Sequence, residues 1–168
     1  EEFKGLQKSG FLKLGKILED NVVSSLVNRI AKLELRDRFR PVHGTFDINN
    51  PPEDTHVADC LVVDWREFPE LFKIANSPKI LNVVESYLGC QPTISNINLW
   101  WSLPGHDKAE QAENFHRDVD DWKFLKLFVY LTDVDELSGP HVYVLNSLNA
   151  YRSLPIKRYT DEYISSIF

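Results

Sequence analysis

The hydrophobic pattern of the chain changes at Gly89. Before this residue, apolar side chains recur every three or four positions, which is the spacing of helices that bury one face. After it, segments 92–104, 123–134 and 140–145 are rich in β-branched and aromatic residues, which is typical of strands. Helices followed by strands, without alternation between the two, predict an α+β or mainly β domain and not a parallel sheet built from βαβ units.

Local signals predict the elements of the first third of the chain. Residues 1–9 are predicted to form a short helix and residues 11–15 a short strand. Asp20 is the predicted N-cap of a long amphipathic helix that continues toward Pro41. Residues 41–60, rich in Pro, Asn and Asp, are predicted to be a polar loop.

The signals for the later helices are more specific than those for the first third of the chain. Residues 66–76 are predicted to form a helix, and a second helix follows directly, with Ser77 as its N-cap, Pro78 at its first position and Gly89 just past its end. Thr160 is the predicted N-cap of a short final helix.

The composition is that of one globular domain, predicted to span residues 1–168 with a mainly helical part (1–90) and a strand part (91–168). Hydrophobic residues make up 43% of the chain and charged residues 26%, which are ordinary values. The net charge of −6 argues against a nucleic-acid partner, since phosphate binding requires a basic surface. No apolar run is long enough to cross a bilayer, so we predict no membrane partner.

The two cysteines, Cys60 and Cys90, match neither a zinc-binding spacing nor a disulfide framework. This favours a reducing setting, and we predict a cytoplasmic location.

The stretch "NFHRDVDDW" (114–122) places an imidazole and a carboxylate two positions apart. In an extended chain, alternate side chains share a face, so His116 and Asp118 are predicted to project together while Arg117 points away. With one more histidine from a distant strand, such a pair forms the 2-His-1-carboxylate set that holds Fe(II) in oxygenases. His116 and Asp118 are therefore candidate metal ligands.

The residues alone leave two other interpretations open. An H-x-D pair is common in chains that bind no metal, where the histidine caps a loop and the aspartate is solvated. Asp118, Asp120 and Asp121 are also a candidate carboxylate cluster for Ca²⁺ or Mg²⁺, although their spacing matches no EF-hand loop.

Three stretches, in order, resemble the phytanoyl-CoA dioxygenase-like family of Fe(II)- and 2-oxoglutarate-dependent oxygenases. "GLQKSGFLKLGKILEDNVVSSLVNRI" is similar to the family's N-terminal strand and long helix, and "ILNVVESYLGCQPTISNINLWWSLPG" to its next helix and first barrel strands. "FHRDVDDWKFLKLFVYLTDVDELSGPHVYVLNS" resembles its metal-binding strand, the long strand that follows and a Gly-Pro turn. The resemblance spans nearly the whole chain.

The resemblance implies a double-stranded β-helix (a jelly roll, cupin-like) with N-terminal helices packed on one sheet. It implies Fe(II) on His116 and Asp118, 2-oxoglutarate and O₂ as cosubstrates, and hydroxylation of a small-molecule or acyl substrate. Related halogenases have a small residue in place of the carboxylate, so Asp118 favours hydroxylation. The family's third ligand, a histidine, and its 2-oxoglutarate-binding arginine lie on later strands, so we expect the C-terminal barrel strands to be missing from this chain.

The chain departs from the family pattern near the cosubstrate site. Residues 146–148 read Asn-Ser-Leu where the family commonly has Gly-Ser-His, and Ser102 stands where some members carry a lysine. Asn98 and Ser102 are candidate pocket residues by the resemblance. These departures support an alternative function, that of a truncated or degenerate jelly-roll module that binds a ligand without turnover.

The remaining polar candidates are one lysine and four histidines. Lys126 alternates with aromatic residues in segment 123–134, where it either extends into solvent or presents a cation to an anionic ligand. His43, His56 and His106 are predicted to face solvent. His141 is predicted to be packed and hydrogen-bonded, with pocket lining as the second interpretation.

Overall fold

The computed structural model describes residues 2–61, 63–106, 108–148 and 154–168. It has an α+β architecture in which helices pack on a small antiparallel sheet. The helices are α1 (Glu2–Ser9), α2 (Asp20–Ile30), α3 (Pro69–Ala75), α4 (Pro78–Leu88) and α5 (Asp161–Ile167), and the strands are β1 (Leu35–Asp37), β2 (Thr45–Phe46), β3 (Val57–Cys60) and β4 (Trp100–Ser102). Single turns of 3₁₀ helix lie at Pro41–His43, Trp65–Glu67 and Gln111–Glu113.

The sheet has the strand order β2-β1-β3-β4, and every neighbouring pair is antiparallel. Ala58 lies at its centre, opposite Asp37 on one side and Trp101 on the other, and its side chain is fully buried. Within the described residues, β2 and β4 form the two edges, so this sheet is open and is not a closed barrel.

The core lies between α2 and the sheet. Leu26 and Ile30 of α2 pack with Phe68, which precedes α3, and all three side chains are buried. Trp101 of β4 and Leu131 pack against this cluster. Burying these apolar side chains stabilises the contact between helix and sheet by roughly 1.5–3 kcal/mol for each fully buried side chain.

The predicted ends of the later helices are confirmed. Gly89 closes α4 in the left-handed conformation, with a φ of +81°, and its N–H donates to the carbonyl of Glu85 at 2.7 Å. The hydroxyl of Thr160 accepts from the N–H of Tyr163 at 3.3 Å and so caps α5. The predicted cap of α2 is wrong by one residue, because Glu19 is the N-cap and Asp20 is the first helical residue. Among the described residues, no helix is long and apolar enough to cross a membrane.

Two predictions for the first half of the chain are wrong. The helix that begins near Asp20 ends at Ile30, and the following residues enter strand β1. Residues 41–60, predicted to be a loop, contain β2 and β3. These strands carry polar side chains and are only two to four residues long, so pairing across the sheet defines them and their own composition does not.

Several predicted strands are absent, although all their residues are described. Residues 11–15, 123–134 and 140–145 form no strand, and the predicted strand 92–104 is reduced to β4. Three of the four strands therefore precede Gly89, in the part predicted to be mainly helical. β-branched and aromatic residues favour a strand only where a neighbouring strand is available to pair.

Candidate functional site

His116 and Asp118 lie in extended chain directly after Phe115, which forms an isolated antiparallel bridge with Tyr159. The Nε2 atom of His116 is 3.3 Å from Oδ1 of Asp118, and both side chains are half-buried. The convergence predicted from their two-residue spacing is confirmed.

The orientation of the His116 ring is set by a second contact. Its Nδ1 atom is 2.8 Å from the backbone carbonyl oxygen of Asn114. Because a carbonyl oxygen only accepts, Nδ1 carries a proton and donates it to this bond. In the neutral ring, the lone pair of Nε2 then faces the carboxylate of Asp118, and the two groups together can bind a cation.

These two donors fit one divalent ion. Two neighbouring ligands of an octahedral ion, each about 2.1 Å from the metal, are about 3.0 Å apart. The 3.3 Å between Nε2 and Oδ1 is close to that separation. Metal-binding histidines characteristically donate their other ring N–H to a carbonyl or carboxylate, as His116 does toward Asn114.

The described residues place no third ligand beside His116 and Asp118. In the described part of the chain, no group of three or more His, Cys, Asp or Glu side chains is arranged to hold a metal ion. The carboxylate-cluster interpretation is therefore not supported. Asp118 and Asp120 instead share the ammonium of Lys126, and Asp121 accepts from the N–H of Trp122.

Lys126 does not extend freely into solvent. Its Nζ lies 2.7 Å from Oδ2 of Asp118 and 2.9 Å from Oδ2 of Asp120. Partial burial opposes the charge, but the hydrogen bonds to these two carboxylates outweigh it, so the pKa of Lys126 is raised above its ordinary value. Lys126 therefore remains a cation beside the candidate metal ligands and orients the second oxygen of Asp118.

The pair opens into a cleft of about 490 Å³. Its polar lining is mostly cationic, and the cationic members are Arg38, Arg117, Lys126, Lys157 and Arg158. Arg117 was expected to point away from His116 and Asp118, yet it lines the same cleft, because the chain after Phe115 does not continue as a regular strand.

The two candidate pocket residues lie elsewhere. Asn98 lines a separate cavity of about 460 Å³, together with Cys60 and Trp65. Burial, with a further contribution from Asp59, raises the pKa of the Cys60 thiol to about 11, so this cysteine stays protonated and uncharged. Ser102 lies on β4 opposite Val57 and is exposed. Neither candidate borders the cleft of His116, and their roles in cosubstrate binding stay predictions.

The prediction for His141 is met only in part, because its ring stacks on a neighbouring aromatic ring but the residue is exposed, and its hydrogen bond is made by the backbone. Its ring stacks on Phe128 with 4.3 Å between centroids, and its backbone N–H donates to the hydroxyl of Tyr130 at 2.7 Å. Partial removal from water lowers the pKa of His141; the electrostatic influence of Asp118 opposes this shift, and those of His116 and Lys126 add to it. His141 is therefore close enough to the candidate ligands for them to affect its pKa, and the lowered pKa favours the neutral ring.

The other histidines form a second polar cluster. His56 is buried, and the prediction that it faces solvent is wrong. Its ring stacks on that of His106 with 3.7 Å between centroids, and its Nδ1 lies 2.9 Å from Oε2 of Glu113. His43 pairs with Asp54 at 2.9 Å. These contacts link the segment around residues 106–113 to β3 and give the cluster a structural role.

Lys157 and Arg158 are among the cleft residues that were not singled out from the sequence. They reach the cleft because Tyr159 pairs with Phe115, and its N–H donates to the Phe115 carbonyl at 2.8 Å. The signal available was a Lys-Arg pair before an aromatic residue, which is common on any surface. Only the long-range bridge between Phe115 and Tyr159 brings this pair to the cleft.

No protein-family model matches the chain, and neither a curated protein nor a solved structure matches it. The resemblance to the phytanoyl-CoA dioxygenase-like family therefore stays a prediction, which depends on the motif order and on the geometry of His116 and Asp118.

Proposed function

We propose that the chain is a non-haem Fe(II)- and 2-oxoglutarate-dependent dioxygenase domain that hydroxylates a small-molecule or acyl substrate. One observation carries the proposal. The Nδ1 atom of His116 is anchored to the Asn114 carbonyl at 2.8 Å, which turns Nε2 toward Oδ1 of Asp118 at 3.3 Å. An anchored imidazole and a carboxylate at the separation of neighbouring ligands support a mononuclear metal site.

Each residue of the pair has a defined task in this proposal. Bound Fe(II) would supply the activation of O₂, with 2-oxoglutarate as the electron donor. The Asn114 carbonyl holds His116 in the tautomer that leaves Nε2 as the ligand atom. Asp118 would offer Oδ1 to the metal, because Lys126 holds Oδ2 and restricts the rotation of the carboxylate.

For the fold, we propose a double-stranded β-helix in which segments 123–134 and 140–145 would supply barrel strands once neighbouring strands pair with them. Side-chain contacts support this arrangement. Phe128 lies edge-on against Trp100 of β4, with 6.3 Å between ring centroids, and the ring of His141 stacks on Phe128 at 4.3 Å. Side chains of the two segments therefore contact each other and β4.

The proposal is tested by anaerobic titration of the chain with Fe(II) in the presence of 2-oxoglutarate. We expect the weak visible absorption band of an Fe(II)–2-oxoglutarate complex, followed by O₂-dependent release of succinate. His116→Gln and Asp118→Asn should each abolish the band. Asp133→Asn, which removes one exposed carboxylate away from the cleft, should leave it unchanged.

The second candidate function is a non-catalytic jelly-roll module that binds a ligand or partner. It is favoured by the missing third ligand among the described residues. The same titration separates the two functions. A chain that stays folded but gives neither the absorption band nor succinate contradicts the dioxygenase proposal and supports the binding module.

A further inference from the structure

The cleft beside His116 concentrates positive charge in an acidic protein. The chain carries a net charge of −6, yet five cationic side chains line this cleft against two carboxylates, Asp118 and Asp120. Charges of one sign that converge on a concave surface raise the local concentration of ligands of the opposite sign.

Arg38, Arg117 and Lys126 each have a partner within the fold. Lys126 is bound by Asp118 and Asp120, and the guanidinium of Arg38 is held by both oxygens of Asp59, with Nε at 2.9 Å from Oδ2. Lys157 and Arg158 differ from these, because neither has a carboxylate partner among the described residues. Their charges are therefore available to a ligand.

The segment that carries Lys157 and Arg158 is fixed in place. The N–H of Tyr159 donates to the carbonyl of Phe115 at 2.8 Å, and the Tyr159 side chain is buried. The Tyr159 hydroxyl donates to the carbonyl of Pro155 at 2.5 Å, which closes the segment on itself. The two cations thus lie beside the extended segment that follows Phe115 and carries His116 and Asp118.

The ammonium of Lys157 rests on an aromatic surface. It lies 5.1 Å from the ring centre of Tyr159 and 5.6 Å from that of Tyr163, and these two rings stack on each other at 5.1 Å. Such contacts orient a lysine without neutralising it. Less conformational freedom is then lost when Lys157 binds an anion.

We propose that Lys157 and Arg158 form an anion-binding site at the rim of this cleft, and that the molecule taken up beside His116 and Asp118 carries a phosphate or carboxylate group. The cleft volume of about 490 Å³ lies within the range of small-molecule sites. The statement that this molecule is a substrate rests on the proposed dioxygenase function. Anion binding itself does not require a metal.

The test is a titration of the metal-free chain at low ionic strength, where screening is weakest. Pyrophosphate and glutarate are the two probes, and glutaramide is the uncharged counterpart of glutarate. Binding is followed by the backbone amide shifts of residues 115–118 and 154–159 in ¹H–¹⁵N spectra, which also report whether each variant is folded. We expect saturable binding of at least one anion, no binding of glutaramide, and shifts confined to these two segments.

The decisive variant is Lys157→Gln/Arg158→Gln. Loss of two charge-assisted contacts should weaken anion binding by about tenfold or more. Lys32→Gln/Arg66→Gln makes the same change in net charge at exposed positions outside the cleft and should change the affinity less than about twofold, because charges outside the cleft do not contact a ligand bound in it.

The two probes separate the chemical sources of the anion. Tighter binding of pyrophosphate supports a phosphate-bearing ligand, and equal or tighter binding of glutarate supports a carboxylate. Absence of saturation with both anions, or equal losses in the two double variants, overturns the proposal. Because no iron is present, either result leaves the dioxygenase proposal to be decided by its own titration.

Discussion

Asp37 shows how much one buried carboxylate contributes to this fold. Its side chain is 1% exposed, and Oδ1 accepts the backbone N–H groups of Phe39 at 2.7 Å and of Arg40 at 2.8 Å. Burial favours the neutral acid, but these hydrogen bonds to the charged form outweigh it and lower the pKa of Asp37 below its ordinary value of 3.8. The carboxylate thereby fixes the turn that follows β1 and positions Arg40, which forms ion pairs with Asp54 and Glu110.

We predict that Asp37→Ala destabilises the protein by about 1–3 kcal/mol, because two backbone N–H groups lose their acceptor in a buried turn. Urea unfolding at pH 7 measures this, with the exposed Asp133→Ala as the control that should change little. Since the folded pKa is lowered, the stabilisation is present above pH 3.8 and is lost as the pH falls through the folded value. The difference between wild type and Asp37→Ala should therefore shrink at acid pH, and a difference independent of pH would contradict this explanation.

At the same scale, the sequence predicts contacts that are local. The approach of His116 to Asp118 follows from a two-residue spacing in extended chain. The arrival of Lys157 and Arg158 at the same cleft depends on the bridge between Phe115 and Tyr159, and no local pattern encodes a contact across that separation in the chain.

Among the helices and strands, likewise, local features could be predicted from the sequence, whereas features that depend on long-range pairing could not. Pro78 and Gly89 act within their own turns, so both ends of α4 could be predicted from the sequence. Strand β3 is four residues long and includes Asp59, and it exists because β1 and β4 pair with its two edges. Segment 123–134 has the composition of a strand, but no strand among the described residues pairs with it.

We predict opposite effects for one chemical change at two glycines. Gly89 ends α4 with a φ of +81°, so Gly89→Ala should cost about 1–2 kcal/mol through strain in the left-handed region. Gly5 lies inside α1, and a Cβ there meets nothing within 4 Å, so Gly5→Ala should stabilise the helix by roughly 0.5–1 kcal/mol. Thermal unfolding of both variants tests this, and shifts of the same sign would refute the assignment of Gly89 as the helix terminus.

For the whole molecule, the total exposed surface area indicates that part of the chain is loosely packed. The chain exposes 12,125 Å², whereas a folded monomer of its mass exposes about 8,500 Å². Large apolar side chains between residues 119 and 145 contribute to this excess, among them Trp122, which is fully exposed, and Leu137. This part of the chain contacts the core through side chains such as Leu131 and does not extend the sheet.

Hydrogen exchange measures whether that part is paired in solution. Among the described residues, no backbone N–H of 123–134 donates to another backbone group, whereas β3 is paired on both edges. We therefore expect amides of 123–134 to exchange about a hundredfold faster than those of β3 and α4, because exchange there requires no opening of a strand ladder. Peptide-resolved mass spectrometry at two protein concentrations gives the rates. Slow exchange across 123–134 at both concentrations would contradict this expectation and show that the segment is already paired within one chain. Protection at the higher concentration alone would show that a second copy supplies a pairing strand.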